Sequence, residues 1–141
     1  MIPYKAINLS ELNELGKNTL AAHLSMEVVE VTAEHVCMRM PVTSQVHQPM
    51  GLLHGGAIAA LAENVSSLAG YLVAHSMGKI CVGLSLNTNH IKSVRDGFVY
   101  ATATAVHLGK STQVWEVRTK TEDDTLINIC TATLKLLDQK K

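Results

Sequence analysis

Glu63 is the only charged side chain in the apolar run from Gly55 to Ala74. A carboxylate on a buried helix costs several kcal/mol unless a partner or a reaction employs it. At helical spacing, Ala59 and Ala60 lie one turn before Glu63, while Ser67 and Tyr71 follow on the same stripe. Small residues beneath the carboxylate leave room for a substrate. The structural alternative is a glutamate that caps a neighbouring backbone or pairs across a subunit interface. His54-Gly55-Gly56 opens the same run. The first turn of a helix presents unpaired N–H groups and partial positive charge, and two glycines let a ligand approach that backbone. Donors placed there polarise a carbonyl and hold its developing oxyanion. The bland reading of this segment is a glycine-rich helix start with His54 satisfying a loop carbonyl. A donor-bearing N-terminus and a carboxylate two turns along are the two parts an acyl hydrolase needs.

Other chemistries lack their signatures. Ser66 and Ser67 are outside any G-x-S-x-G elbow, and the seven histidines show no H-E-x-x-H spacing. There is no P-loop and no G-x-G-x-x-G, so neither a metal nor a cofactor is expected. Cys37, Cys81 and Cys130 form no C-x-x-C or Cys/His cluster, which suggests buried, reduced thiols.

These residues must be positioned by a chain of 141 residues, the size of one domain (1–141). It is 47% hydrophobic and 17% charged, enough apolar mass for a core and too little charge for disorder. Twelve basic residues balance twelve acidic ones and aromatics are 4%, which disfavours nucleic acid and acidic membranes as partners. The N-terminus shows no signal pattern. The Gly55–Ala74 run is long enough to span a bilayer, but Glu63, Asn64, Ser66 and Ser67 lie within it and no Lys or Arg anchors flank it. A buried helix in a cytoplasmic protein is the expectation.

Asn8 with Glu11 resembles a capping box and predicts a short helix from Leu9 to about Lys17. Met26–Val31 and Val36–Met40 read as a strand pair, and Pro41 to Gly51 as a loop. The long helix runs from about Gly55 to Ser76, ended by Gly78. Ile80–Asn89, Phe98–Leu108, Thr112–Thr121 and Leu126–Leu137 read as further strands joined by short turns, hence antiparallel. A helix apolar on nearly every side has to be enclosed. The reading is α+β, an antiparallel curved sheet wrapped around one long central helix. Such a sheet has open edges and leaves part of the helix uncovered, so at least a dimer is expected.

Gln48-Pro49-Met50-Gly51-Leu52-Leu53-His54-Gly55-Gly56-Ala57, followed by Ala60-Leu61-Ala62-Glu63, resembles the hot-dog-fold acyl-CoA thioesterases of the 4-hydroxybenzoyl-CoA thioesterase superfamily. Val82-Gly83-Leu84, Asn87-Thr88-Asn89-His90, His107-Leu108-Gly109 and Gln113-Val114-Trp115 extend the likeness from Leu9 to Leu137. The nearest branch is the group acting on 1,4-dihydroxy-2-naphthoyl-CoA and the proofreading thioesterases of enterobactin synthesis.

The resemblance implies hydrolysis of an acyl-CoA or acyl-carrier-protein thioester, aromatic by analogy, without a cofactor. Glu63 would be nucleophile or general base. The Gly55 N–H would hold the thioester oxygen, with Gln48 and His54 orienting the carbonyl and Ser67 assisting at the acyl group. His90 would lie near the site. Lys92, Ser93, Arg95, Lys110 and Ser111 are candidates for the coenzyme A phosphates. Val82, Gly83, Leu68, Tyr71 and Met50 are further substrate-side candidates. The family site lies between subunits of a homodimer, or of a homotetramer built as a dimer of dimers. Glu63 and Ser67 of one subunit would then face Gln48, His54 and Gly55 of the other. Two alternatives are an enoyl-thioester hydratase and a non-catalytic acyl-CoA-binding module. The first lacks its His-Phe-Pro-type segment here; the second would suit a chain without the acid, yet Glu63 is present.

Overall fold

The computed structural model describes residues 1–5 and 7–139. Two short helices, α1 (Leu9–Leu15) and α2 (Leu20–His23), precede β1 (Glu27–Val31) and β2 (His35–Pro41). A single 3-10 turn at Ser44–Val46 leads to the long helix α3 (Gly55–Ser76). The strands β3 (Lys79–His90), β4 (Phe98–Leu108), β5 (Thr112–Thr121) and β6 (Leu126–Asp138) complete the chain. The six strands form one antiparallel sheet in the order β1-β2-β4-β5-β6-β3, with α3 packed on β2 to β6. This is the hot-dog fold. The first helix stops at Leu15, short of the expected Lys17, because the chain turns at Gly16 and Asn18 takes a left-handed φ of 58°.

Alternation builds the concave face. Val99, Ala101 and Ala103 of β4, Trp115 and Val117 of β5, and Ile127, Cys130 and Leu134 of β6 are buried against Leu61, Ala62, Val65 and Ala69 of α3. Helix and sheet approach closely at Gly70. A Cβ there would fall 2.9 Å from Gln113 Oε1 and collide with the Leu134 side chain. The buried Gln113 amide is satisfied at this crossing: its Nε2 donates to the Gly70 carbonyl at 3.5 Å, and its Oε1 accepts Trp115 Nε1–H at 2.9 Å. By length and composition α3 could cross a membrane, yet 56% of its apolar window is buried inside this fold.

The sheet edges differ. β1 is five residues long, bulged between Val28 and Glu30, and covered through Asn13 of α1, whose amide donates to the Val28 carbonyl (3.1 Å) and accepts its N–H (2.8 Å). β3 is twelve residues long, bulged between Gly83 and Ser85, and exposes Ile80, Val82 and Leu84. A long apolar edge of unpaired amides is what soluble sheets normally cover.

Candidate active site

His54 builds the helix start. Its extended backbone (φ −65°, ψ 130°) makes it the N-cap of α3, and its Nδ1 accepts the Gly56 N–H at 2.8 Å. With Nδ1 accepting, the neutral ring carries its proton on Nε2. The Ala57 and Ile58 N–H groups both donate to the His54 carbonyl. Among the described residues, only the Gly55 N–H of this first turn has no acceptor.

Around that N–H lies a cleft of about 330 Å³ lined by Gln48, Gly55, His90, Lys92 and Ser93, among others. Five of the sequence candidates thus meet at one place. His90 is packed so closely that a Cβ on Gly55 would sit 2.8 Å from its Nε2. The ring is braced from behind by Asn128, paired with it across β3 and β6, whose Nδ2 lies 3.3 Å from His90 Nδ1 and donates to Thr88 Oγ1 at 2.7 Å. Sequence reasoning passed over Asn128; the signal was a lone amide amid Leu126, Ile127, Ile129 and Cys130. Gln48 sits in a turn closed by Gly51, and its Oε1 accepts the Met50 N–H, which leaves its NH2 group as a donor. Met50 itself is 70% exposed.

Arg95 is already engaged within its own chain. Its guanidinium turns back to the Met50 carbonyl at 3.4 Å, and its own carbonyl lies 2.8 Å from His47 Nε2. It braces the Gln48 turn, because the left-handed Gly51 (φ 73°) brings that backbone alongside it. Lys110 and Ser111 lie at the opposite end of β3, where Lys79 Nζ donates to the Lys110 carbonyl and the Leu136 N–H to that of Ser111. One chain does not gather them with Lys92 and Ser93.

Glu63 brings a correction. The expected buried carboxylate is exposed in the single chain, because its sheet does not cover the strip of α3 that carries Gly56, Glu63 and Tyr71. Its Oε1 lies against Gly83 of β3, 3.3 Å from where a Cβ would be. Among the described residues it has no hydrogen-bond or ion-pair partner. Ser67 follows on the same strip, half-buried, and Tyr71 stacks on His75 with ring centroids 5.5 Å apart. Leu68 is half-buried towards α1, and Val82 is exposed on β3. Ser66 is buried and bonded to the Ala62 and Glu63 carbonyls, as an internal helix serine.

Glu63 lies eight residues beyond Gly55 on the helix, about 12 Å along the axis. The free donor and the free carboxylate of one chain therefore cannot serve one carbonyl. Cys130, buried below, has its thiol pushed up to about 11 by burial and by the charge of Glu63.

A curved sheet around one helix, with a lone N–H at the helix start and an unpartnered acid on the helix, defines a hot-dog hydrolase. Residues 50–128 match the model of the thioesterase superfamily. A Vibrio cholerae relative is 43% identical over 132 residues, covering 92% of this chain and 86% of its own. The crystal structure of the thioesterase HI1161 of Haemophilus influenzae superposes with a TM-score of 0.95 at 38% identity, covering 100% of this chain and 98% of that one. The thioesterase SAV0944 of Staphylococcus aureus, 38% identical with a TM-score of 0.79 over 83% of this chain and 97% of its own, is known as an alanine variant of a glutamine. A second structure of it replaces a glutamate fifteen residues further on. The chain belongs to the thioesterase superfamily and is an enzyme of the thioester-hydrolase class.

Proposed function

We propose that this enzyme hydrolyses acyl-CoA thioesters at two equivalent sites, each made by two copies of the chain. The observation that carries this is the separation of the two free groups: a lone Gly55 N–H and an unpartnered Glu63 that one chain cannot bring together. Pairing of the exposed β3 edges about a two-fold axis supplies the second copy and covers Val82, Leu84 and the open strip of α3. Antiparallel pairing also carries the Lys110–Ser111 turn of one copy towards the His90–Ser93 end of the other, where the nucleotide phosphates of coenzyme A need cations and hydroxyls.

In this arrangement the Gly55 N–H, at the positive end of α3, holds the thioester oxygen. His54 Nε2–H and the Gln48 amide orient the carbonyl. Glu63 from the other copy attacks it or activates the attacking water, and Ser67 lines the acyl side. The coenzyme A thiolate leaves and takes up a proton; where Glu63 has attacked directly, water then cleaves the resulting anhydride, and in both routes the acid departs with Glu63 regenerated. The separation of Gln48 and Glu63 matches that of the two residues replaced by alanine in the Staphylococcus aureus relative. An aromatic acyl group, and action in the cytoplasm, are the further parts of this reading.

Thiol release from aryl-, short- and long-chain acyl-CoAs, beside Glu63→Gln, tests it. The variant should lose at least a hundredfold in kcat with its unfolding midpoint unchanged, since the Glu63 carboxylate has no partner among the described residues of its own chain. Near-wild-type turnover would overturn the assignment. No release from any coenzyme A ester, with carrier-protein esters cleaved, would move the substrate to the carrier.

A further inference from the structure

Behind the Gly55 cleft, the sheet buries two polar atoms that nothing satisfies. Asn128 of β6 and Thr119 of β5 are register partners, and both are buried at 0% exposure. Asn128 Nδ2 has two protons and two neighbours for them, Thr88 Oγ1 at 2.7 Å and His90 Nδ1 at 3.3 Å. Among the described residues, Asn128 Oδ1 and Thr119 Oγ1 are left without a hydrogen-bond partner. On its other side Thr119 is paired with Ala101, which offers only a methyl. A buried acceptor and a buried hydroxyl each destabilise the fold when left alone, and native interiors pair them. Directly opposed residues of antiparallel strands hold their Cβ atoms about 4.5–5.5 Å apart, so the Thr119 O–H reaches Asn128 Oδ1 directly or through one buried water. A polar row Thr119–Asn128–His90 thus crosses β5, β6 and β3 and ends at the cleft.

Resting on the function proposed above, we infer that Thr119 and Asn128 are positioning residues that hold His90 as its Nε2–H tautomer, with that proton presented beside Gly55. The Thr119 hydroxyl satisfies Oδ1 and keeps the amide from turning. The Asn128 N–H then occupies His90 Nδ1, so the neutral ring carries its proton on Nε2. Nε2 lies against the start of α3, where a Cβ on Gly55 would come within 2.8 Å of it. The His90 Nε2–H thereby joins the Gly55 N–H as a donor to the thioester oxygen. An amide turned the other way would offer its oxygen to Nδ1 and draw the proton there. It would leave a lone pair on Nε2, which repels the charge that develops on the thioester oxygen. An apolar residue at position 128 would fill the core equally well but could not choose between the two tautomers.

Nitrogen NMR of the histidine rings at pH 8 reads the tautomer without any turnover, with His90 assigned by the signals missing from His90→Asn. In the wild type Nε2 should carry the proton and Nδ1 should be bare; a proton on Nδ1 would overturn the inference. Asn128→Asp sets acceptors where the amide donor was and should move the proton to Nδ1. Against the acyl-CoA esters that the wild type cleaves, it should lower kcat about tenfold or more while KM changes less than threefold. An Asn128→Asp ring still protonated at Nε2, or an unchanged kcat, would refute the positioning role. Thr119→Val keeps the shape of the side chain without the hydroxyl and should also lower kcat with little change in KM. Thr119→Ser, which retains the hydroxyl, should recover most of that loss, and equal losses in the two would strike Thr119 from the row. A wild type that cleaves no thioester would instead sink the parent reading, and the ring signals would still decide the tautomer.

Discussion

At the scale of single residues, the site depends on which polar groups are already engaged. Gly56, Ala57 and Ile58 spend their N–H groups on His54, so the helix start retains a single donor, while Gln48 keeps both N–H groups of its side-chain amide and His54 its Nε2–H. Cys130 shows the electrostatic reach of the acid. Its thiol rises from an ordinary 9.0 to about 11, first through burial and then through Glu63. The sign of the consequence is definite. Below pH 9 the thiol is neutral whether the chain is folded or not, and the neutral form suits its buried place. Between pH 9 and about 11 the unfolded chain gives up the proton first, so this contribution to stability fades as pH rises. Urea unfolding should show a steeper loss from pH 8 to pH 10 in the wild type than in Cys130→Ala, and alkylation of Cys130 in the folded protein should stay slow at pH 8.

At the scale of elements, the helix and the sheet are registered by small residues and one buried amide. Gly70→Ala would push a methyl into Gln113 and Leu134 and disturb the Trp115 bond, and should cost about 1–3 kcal/mol in urea unfolding, the usual toll of overpacking. Unchanged stability would mean that α3 can lift away without loss. Most elements were legible beforehand because period-two alternation in β3 to β6 is strong and Gly97 and Gly109 mark their turns. Helix α2 was not, since four residues hold too few turns to show a period. The bracing of His90 by Asn128 was not legible either, because it depends on a register between strands separated by two others in the chain. The exposure of Glu63 escaped for a different reason. Ala59, Ala60 and the glycines make α3 apolar all round, and apolarity does not distinguish a face already covered from one awaiting a partner. The motif pointed to Gln48, Gly55 and Glu63, and the fold gathers Gln48 and Gly55 with His90, Lys92 and Ser93 around one cleft.

At the scale of the molecule, activity and association should be one property. Leu84→Lys places a charge at an exposed position, 60% accessible, on the open strand. Two such lysines would face each other across the axis, so the variant should elute as a monomer, keep its far-ultraviolet spectrum and lose thioesterase activity. A monomer with full turnover would refute the shared site. Wild-type thermal stability should also rise with protein concentration, as it does whenever a native partner binds only the folded chain.

The place of β3 in the chain has a consequence for how the protein is made. The strand leaves the ribosome directly behind α3, yet the segment it pairs with, Asn128–Asp138, is the last of the sheet to be synthesised. While β4 and β5 emerge, both of its amide rows stand open, the inner one waiting for β6 and the outer one for the second copy in the proposed dimer. Neighbouring nascent chains on one message expose the same unfinished strand at high local concentration. Prompt arrival of the C-terminal segment thus decides whether β3 takes its own chain first, and slow translation of codons after Thr121 is where misassembly would begin.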